Sequence, residues 1–278
     1  MNAQQRDIAL AVHGVYERHG NETQADIHIE EMRRNGFTVL KGVLTDEEVA
    51  YTRSSLDDIY QQQVNEFGLE NLTTLRDRYI ARSMLVYDDF YLHRVACNEK
   101  IMAVVKKMLG ANISLSSQVG ILSPPDDVLY QTAWHRELQY QHFTISRPIA
   151  IQSLMVIDPF NASTGGTFFI PGSHMHEIFP SDEYAKKHQI QIVANPGDAV
   201  VFDALTYHRA GINTSSNVRR AINNLYTLPI IQQQINLSRM MNGRFENDPF
   251  LAGLLGYRWE TSDSVLAWRQ RHLDLKKR

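Results

Sequence analysis

The stretch "NPGDAVVFDALTYHRAGINTSSNVRRAI", residues 195–222, holds a Pro-Gly-Asp turn, a run of β-formers, His208, a turn rich in Asn and Ser, and Arg219 at the head of a further strand. Such a turn reverses the chain, so the spacing predicts a hairpin that brings Arg219 back toward His208 across eleven positions. Outward from it, "ISLSSQVGIL" (113–122), "IAIQSLMVI" (149–157), "GTFFIP" (166–171) and "RAINNLYTLPI" (220–230) are short β-rich runs separated by Gly, Pro, Asn and Asp. Several strands at this spacing imply an antiparallel sandwich or barrel.

The flanks read differently. "GFTVLKGVL" (36–44) is a short early strand, and Thr45 with Glu48 has the spacing of a capping box that opens an amphipathic helix to about residue 65. In "NEKIMAVVKKMLG" (98–110), Ile101, Val104, Val105 and Leu109 share one helical face and Gly110 closes the helix. With no repeat or low-complexity linker, the pattern predicts one α+β domain over 1–278. Residues 1–111 are mainly helical with an early strand, 112–230 form the β core, and 231–278 return to helix and loop.

Composition narrows the chemistry. A formal net charge of −3 over 278 residues gives no general electrostatic reason to bind nucleic acid or an anionic membrane. Cys97 is the single cysteine, so disulfides within the chain, Cys-rich zinc modules and thiolate-held iron-sulfur clusters are excluded, and a metal site must use His and carboxylates. The start has no basic region followed by an apolar run, and no segment has the ~18 apolar residues of a membrane span. The expected address is cytoplasmic, and the oligomeric state is not readable.

In "TAWHRELQYQ" (132–141), His135 and Glu137 stand two apart. On a strand they would share a face with α-carbons about 6.5–7 Å apart, close enough to converge on one ion. The same alternation, with Gln131, Gln139 and Gln141 on that parity, equally describes the wet face of a half-buried strand, and His28-Ile29-Glu30 shows that the motif is not specific. His208 and Arg219 shift the balance. Two histidines, one carboxylate and open positions form the facial triad of mononuclear non-heme Fe(II) oxygenases, and an Arg can clamp a carboxylate bidentately.

The order and content of "WHRELQYQH" (134–142), "GGTFFIPGSHMHE" (165–177) and "PGDAVVFDALTYHRAGINTSSNVRRA" (196–221), with weaker support from "GFTVLKGVLTDEEV" (36–49) and "LLGYRW" (254–259), resemble the phytanoyl-CoA dioxygenase family of Fe(II)/2-oxoglutarate oxygenases. The resemblance implies a double-stranded β-helix (jelly-roll, cupin-like) core flanked by helices, with Fe(II), 2-oxoglutarate as cosubstrate and O2. It implies that His135, Glu137 and His208 are the catalytic iron ligands, Glu137 standing where the family usually has Asp. Arg219 would hold the distal carboxylate of 2-oxoglutarate, with Arg220 the alternative one position on, and Gln118 would contact the cosubstrate. Ala210 stands where several relatives have a supporting Ser.

By parity with His135, Gln139 and Gln141 are candidate substrate contacts, and Arg82 is a third, in a region where relatives close over substrate. Arg136 takes the opposite parity and is expected to be structural, and His174 is expected in a structural turn. The activity implied is oxidation, chiefly hydroxylation, of a small polar metabolite or biosynthetic intermediate, releasing succinate and CO2. A catalytically degenerate jelly-roll protein that binds a small ligand is the alternative, supported by Glu137 and Ala210. A metal enzyme that does not use 2-oxoglutarate is a third reading, which Arg219 disfavours.

Overall fold

In the computed structural model, residues 23–138 and 143–277 are described. Helix α1 (Gln24–Asn35) ends at Gly36, whose φ of 87° closes it. The chain then enters strand β1 (Phe37–Leu40). Gly36 has a second constraint, because a Cβ there would lie 2.4 Å from Thr206 Oγ1, whose hydroxyl donates to the Gly36 carbonyl. The capping box of Thr45 and Glu48 forms and starts α2 (Asp46–Phe67). Helix α3 (Glu99–Leu109) buries Ile101, Val104, Val105 and Leu109 and stops at Gly110.

The remaining strands are β2 (Ile80–Arg82), β3 (Ser114–Ser123), β4 (Ala150–Val156), β5 (Phe168–Phe169), β6 (Ile190–Gln191), β7 (Ala199–Asp203), β8 (His208–Arg209) and β9 (Arg219–Thr227). They build an antiparallel six-stranded sheet, β1-β7-β4-β9-β3-β2, and a three-stranded sheet, β6-β5-β8. Beyond β9, two short helices (Leu237–Met241 and Pro249–Leu254) precede α4 (Val265–Lys277). No helix among the described residues is long and apolar enough to cross a membrane.

Alternation explains why both faces of the large sheet are buried. Along β4, Ile151 and Met155 join Leu56, Ile101 and Val105 of the helices in one cluster. Leu154 and Val156 instead join Val200, Phe202, Ala221 and Phe169 between the sheets. Side chains of period two thus serve two cores, one under the helices and one inside the barrel. This is the α+β jelly-roll that the sequence implied.

Two local expectations are corrected. Residues 132–138, the described part of that stretch, form no strand: Tyr130–Thr132 is a 3-10 turn, and His135 makes a single bridge to His208. The partner segment turns immediately before His208, with Thr206 N donating to Asp203 O, so the ladder cannot lengthen. The hairpin from His208 to Arg219 is also absent, because β8 and β9 belong to different sheets. The connection passes from one sheet to the other, and both residues line the cavity between them.

Asp203, in the turn that delivers His208, is buried, accepts from Leu205 N at 2.8 Å, and has its carboxyl pushed up to about 6 by desolvation. Protonation therefore favours the folded state. Its stabilising contribution is complete below the ordinary carboxylate value of 3.8 and is lost as pH rises through about 6. Asp203→Asn keeps the acceptor and removes the titration, so it should stabilise the protein at pH 7.5 by up to about 3 kcal/mol. Denaturant midpoints at pH 4 and pH 7.5 should differ less in the variant than in wild type.

Candidate active site

His135, Glu137 and His208 converge: one ligand atom from each lies within 4.8 Å of the others. The imidazole centroids are 4.3 Å apart, and Glu137 Oε2 is 4.0 Å from His208 Nε2. The chain bends at Glu137, where its N–H donates to Ala204 O at 3.0 Å. That anchored bend, rather than strand alternation, sets the carboxylate beside His208 despite the extra methylene.

Both rings are prepared as ligands. His135 Nδ1 lies 2.8 Å from Ala133 O, and His208 Nδ1 lies 2.9 Å from Thr206 O. A carbonyl only accepts, so each Nδ1 carries a proton and Nε2 is the ring nitrogen open to a metal. Burial and the neighbouring His135 hold His208 well below the usual histidine range, which keeps it neutral. Phe169 and Phe202 pack against its ring, with centroids 5.7 and 4.8 Å away.

The three residues line a cavity of about 390 Å³ that Arg219 also reaches. Arg219 is 4% exposed. One terminal nitrogen donates to Gly165 O, the other to Ser123 Oγ at 2.7 Å, while Nε has no partner. None of the ion pairs among the described residues includes it, and burial lowers it to about 10. It stays charged at neutral pH, so a buried cation faces the cavity without a carboxylate. That situation is costly unless an anion enters. Gly165 can approach because it lacks a side chain: a Cβ at its φ of 73° would lie 2.4 Å from Gly211 O.

Arg220 points the other way. It pairs with Asp57 at 2.7 Å and Asp158 at 3.0 Å, tying β9 to α2. Arg220→Ala should lower stability by about 1–3 kcal/mol and leave 2-oxoglutarate affinity within twofold. Thermal melts and a cosubstrate titration check the two halves separately.

Gln118 does not take the role expected of it. Its carbonyl oxygen accepts from Leu85 N at 2.8 Å, and its nitrogen donates to Tyr91 O and Asn224 Oδ1 at 3.1 and 2.9 Å. The cause is a register shift between Leu115 and Ser117. Counting alternate residues from the helix-facing Leu115 sets Gln118 inside, whereas the bulge turns it onto the helical face. Its neighbours Ser117 and Val119 line the cavity instead.

Arg82 reaches the cavity but is held by Asp77 at 2.5 and 2.8 Å. Gln139 and Gln141 lie outside the described residues. Arg136 donates to the carbonyls of Ser173, Glu177 and His176 and covers the Tyr207 ring at 4.1 Å, contacts that hold neighbouring loops together. His174 sits in a 3-10 turn against Arg33 O, away from the triad. Ala210 lines the cavity without a side-chain donor. Sequence reasoning missed Ser123, Gln152 and Asn223; the available signal was an uncharged polar residue inside an otherwise apolar run, as in "IAIQSLMVI".

The sequence profile of phytanoyl-CoA dioxygenase (PhyH) matches residues 32–221. An uncharacterized protein of Mycobacterium tuberculosis is 29% identical over 229 residues, covering 80% of this chain and 82% of that one. The peroxisomal phytanoyl-CoA dioxygenase of Homo sapiens is 25% identical over 219 residues, which are 68% of this chain and 64% of that enzyme. Among solved structures, EctD from S. alaskensis with 2-oxoglutarate and 5-hydroxyectoine superposes with a TM-score of 0.60 at 17% identity, covering 78% of this chain and 80% of the other. The non-heme alpha ketoglutarate dependent carbocyclase SnoK from nogalamycin biosynthesis gives 0.55 at 17% identity, covering 75% and 87%. These two share the fold. The profile match spans well over half of the chain, so the protein belongs to the phytanoyl-CoA dioxygenase family of iron- and 2-oxoglutarate-dependent oxygenases.

Proposed function

We propose that this protein hydroxylates a C–H bond of a small polar metabolite or biosynthetic intermediate, with His135, Glu137 and His208 as the iron ligands and Arg219 as the cosubstrate anchor. The observation that carries the reading is the pairing of two kinds of unfilled demand in one cavity. Two imidazoles and a carboxylate converge at one place, and a buried guanidinium without a carboxylate stands at another. Iron(II) with 2-oxoglutarate supplies the oxidising chemistry, in which O2 delivers one atom to substrate and one to succinate as CO2 leaves.

The protein's part is placement. Ala133 O and Thr206 O hold the Nδ1 protons of the two imidazoles, which directs metal binding to Nε2 on each ring. Glu137 supplies the negative charge. Arg219, fixed by Gly165 O and Ser123 Oγ, orients the far carboxylate of the cosubstrate. The apolar walls Val119, Ile121, Leu154 and Phe160 exclude water and strengthen these electrostatic contacts.

The test is aerobic incubation with Fe(II), 2-oxoglutarate and a metabolite panel, reading succinate and product mass. Substrate-stimulated succinate with a product heavier by one oxygen atom is the expected result. Succinate release that no panel member stimulates, together with no oxygenated product, would count against the reading.

A further inference from the structure

The two faces of the large sheet treat their carboxamides differently. On the helical face, Gln118 and Asn224 are joined at 2.9 Å, and Asn224 also donates to Ser153 Oγ at 3.1 Å. On the cavity face, Gln152 is 0% exposed, yet neither its oxygen nor its nitrogen has a partner. Asn223 Oδ1 is likewise unpartnered. Both side chains line the same cavity as the triad. Gln152 stands opposite Leu225, and Leu154 opposite Asn223, so the two carboxamides are diagonal neighbours about 7–8 Å apart at their α-carbons, close enough to act on one group.

A buried amide without partners destabilises the folded protein. The fold satisfies such groups one residue away on the same strands, so the cavity pair is not a failure of packing. Charge recognition is assigned elsewhere. Glu137 belongs to the triad, Arg219 faces the cosubstrate carboxylate, and Arg82 is held by Asp77. A carboxamide offers a donor and an acceptor and no charge, and a pair of them matches a group with the same two capacities. A site built this way discriminates strongly against an analogue that leaves its polar atoms unpaired.

We propose that Gln152 and Asn223 are the substrate-recognition pair, and that the substrate presents to them an uncharged donor-and-acceptor group, a hydroxyl or a carboxamide, in place of a carboxylate or an ammonium. The inference rests on the oxygenase reading and deepens it by naming the substrate class.

The experiment compares wild type with Gln152→Leu, Asn223→Leu and the double variant, loaded anaerobically with Fe(II) and 2-oxoglutarate. Four probes of one skeleton are titrated by ligand-observed NMR: cyclohexylmethanol, cyclohexanecarboxamide, cyclohexanecarboxylate and cyclohexylmethylammonium. The two neutral probes should bind about tenfold tighter than the charged pair, and the double variant should lose that preference. Affinity for 2-oxoglutarate, read from its visible band with iron, should stay within twofold. The melting temperature of metal-free Gln152→Leu should rise by roughly 2–4 °C as two unpaired atoms leave the core.

Equal binding or no binding of the four probes, a preference that survives the double substitution, or tighter binding of a charged probe would overturn the proposal. So would a tenfold loss of 2-oxoglutarate affinity, which would give the pair to the cosubstrate, or a fall in melting temperature, which would make it structural. The probe titrations are repeated on metal-free protein, so absence of the iron band in wild type contradicts the oxygenase reading alone.

Discussion

Arg219→Ala should raise the 2-oxoglutarate concentration for half-maximal turnover by about 100- to 1000-fold, with a smaller effect on turnover at saturation. The guanidinium is 4% exposed and its two terminal nitrogens are fixed by Gly165 O and Ser123 Oγ. Its remaining edge and its whole charge are therefore available to an entering carboxylate. Hydrogen bonds to charged groups contribute about 1.5–3 kcal/mol each, and losing the positive charge from a buried site adds to that. Two contacts near the lower end of that range, about 3–4 kcal/mol together, convert to the fold-change given. Arg219→Lys should recover part of the affinity, since it restores charge without the planar fork. Initial rates against cosubstrate concentration check this, and a KM within threefold of wild type would remove Arg219 from the cosubstrate site.

The second large effect belongs to the triad. His135→Ala and His208→Ala should each abolish stoichiometric iron binding and reduce turnover by at least about a thousandfold, some 4 kcal/mol of transition-state stabilisation. The two substitutions separate chemistry from folding. His208 packs against Phe169 and Phe202, which also touch each other, so its removal leaves a cavity and should also lower the melting temperature. His135 is only half-buried, and its loss should leave the melting temperature of the metal-free protein nearly unchanged. Iron content after anaerobic reconstitution, with a melt of each variant, checks both statements. Full iron occupancy in His135→Ala would show that the convergence of these side chains is not a metal site.

The parts of this architecture that were legible in sequence are those written in local chemistry. The capping box at Thr45 and Glu48, the Gly110 stop and the strand ahead of His208 each depend on residues adjacent in the chain, and each formed. The convergence of His135, Glu137 and His208 was anticipated, but for an incomplete physical reason. A strand over 132–141 was expected to set the His-x-Glu spacing, whereas one bridge and the Glu137 N–H bond to Ala204 O set it.

What sequence could not show was register across the sheets. A single extra residue in β3 reversed the direction of Gln118, because strand faces alternate every residue and one insertion exchanges them. Arg219 and Arg220 are adjacent and chemically identical, and only the choice of face sends one to the cavity and the other to Asp57 and Asp158. Gln152 and Asn223 carry no motif, and their meaning emerges only when both are seen to be unpartnered inside the same cavity.

The most direct test of the central claim is anaerobic addition of Fe(II) and 2-oxoglutarate to metal-free protein, following the weak visible charge-transfer band of a chelated Fe(II)–2-oxo acid. The band should saturate at one iron and one 2-oxoglutarate per chain in wild type, be absent in His208→Ala, and appear in Arg219→Ala only at far higher cosubstrate concentration. A folded wild-type protein that shows no band with iron in excess would contradict that claim.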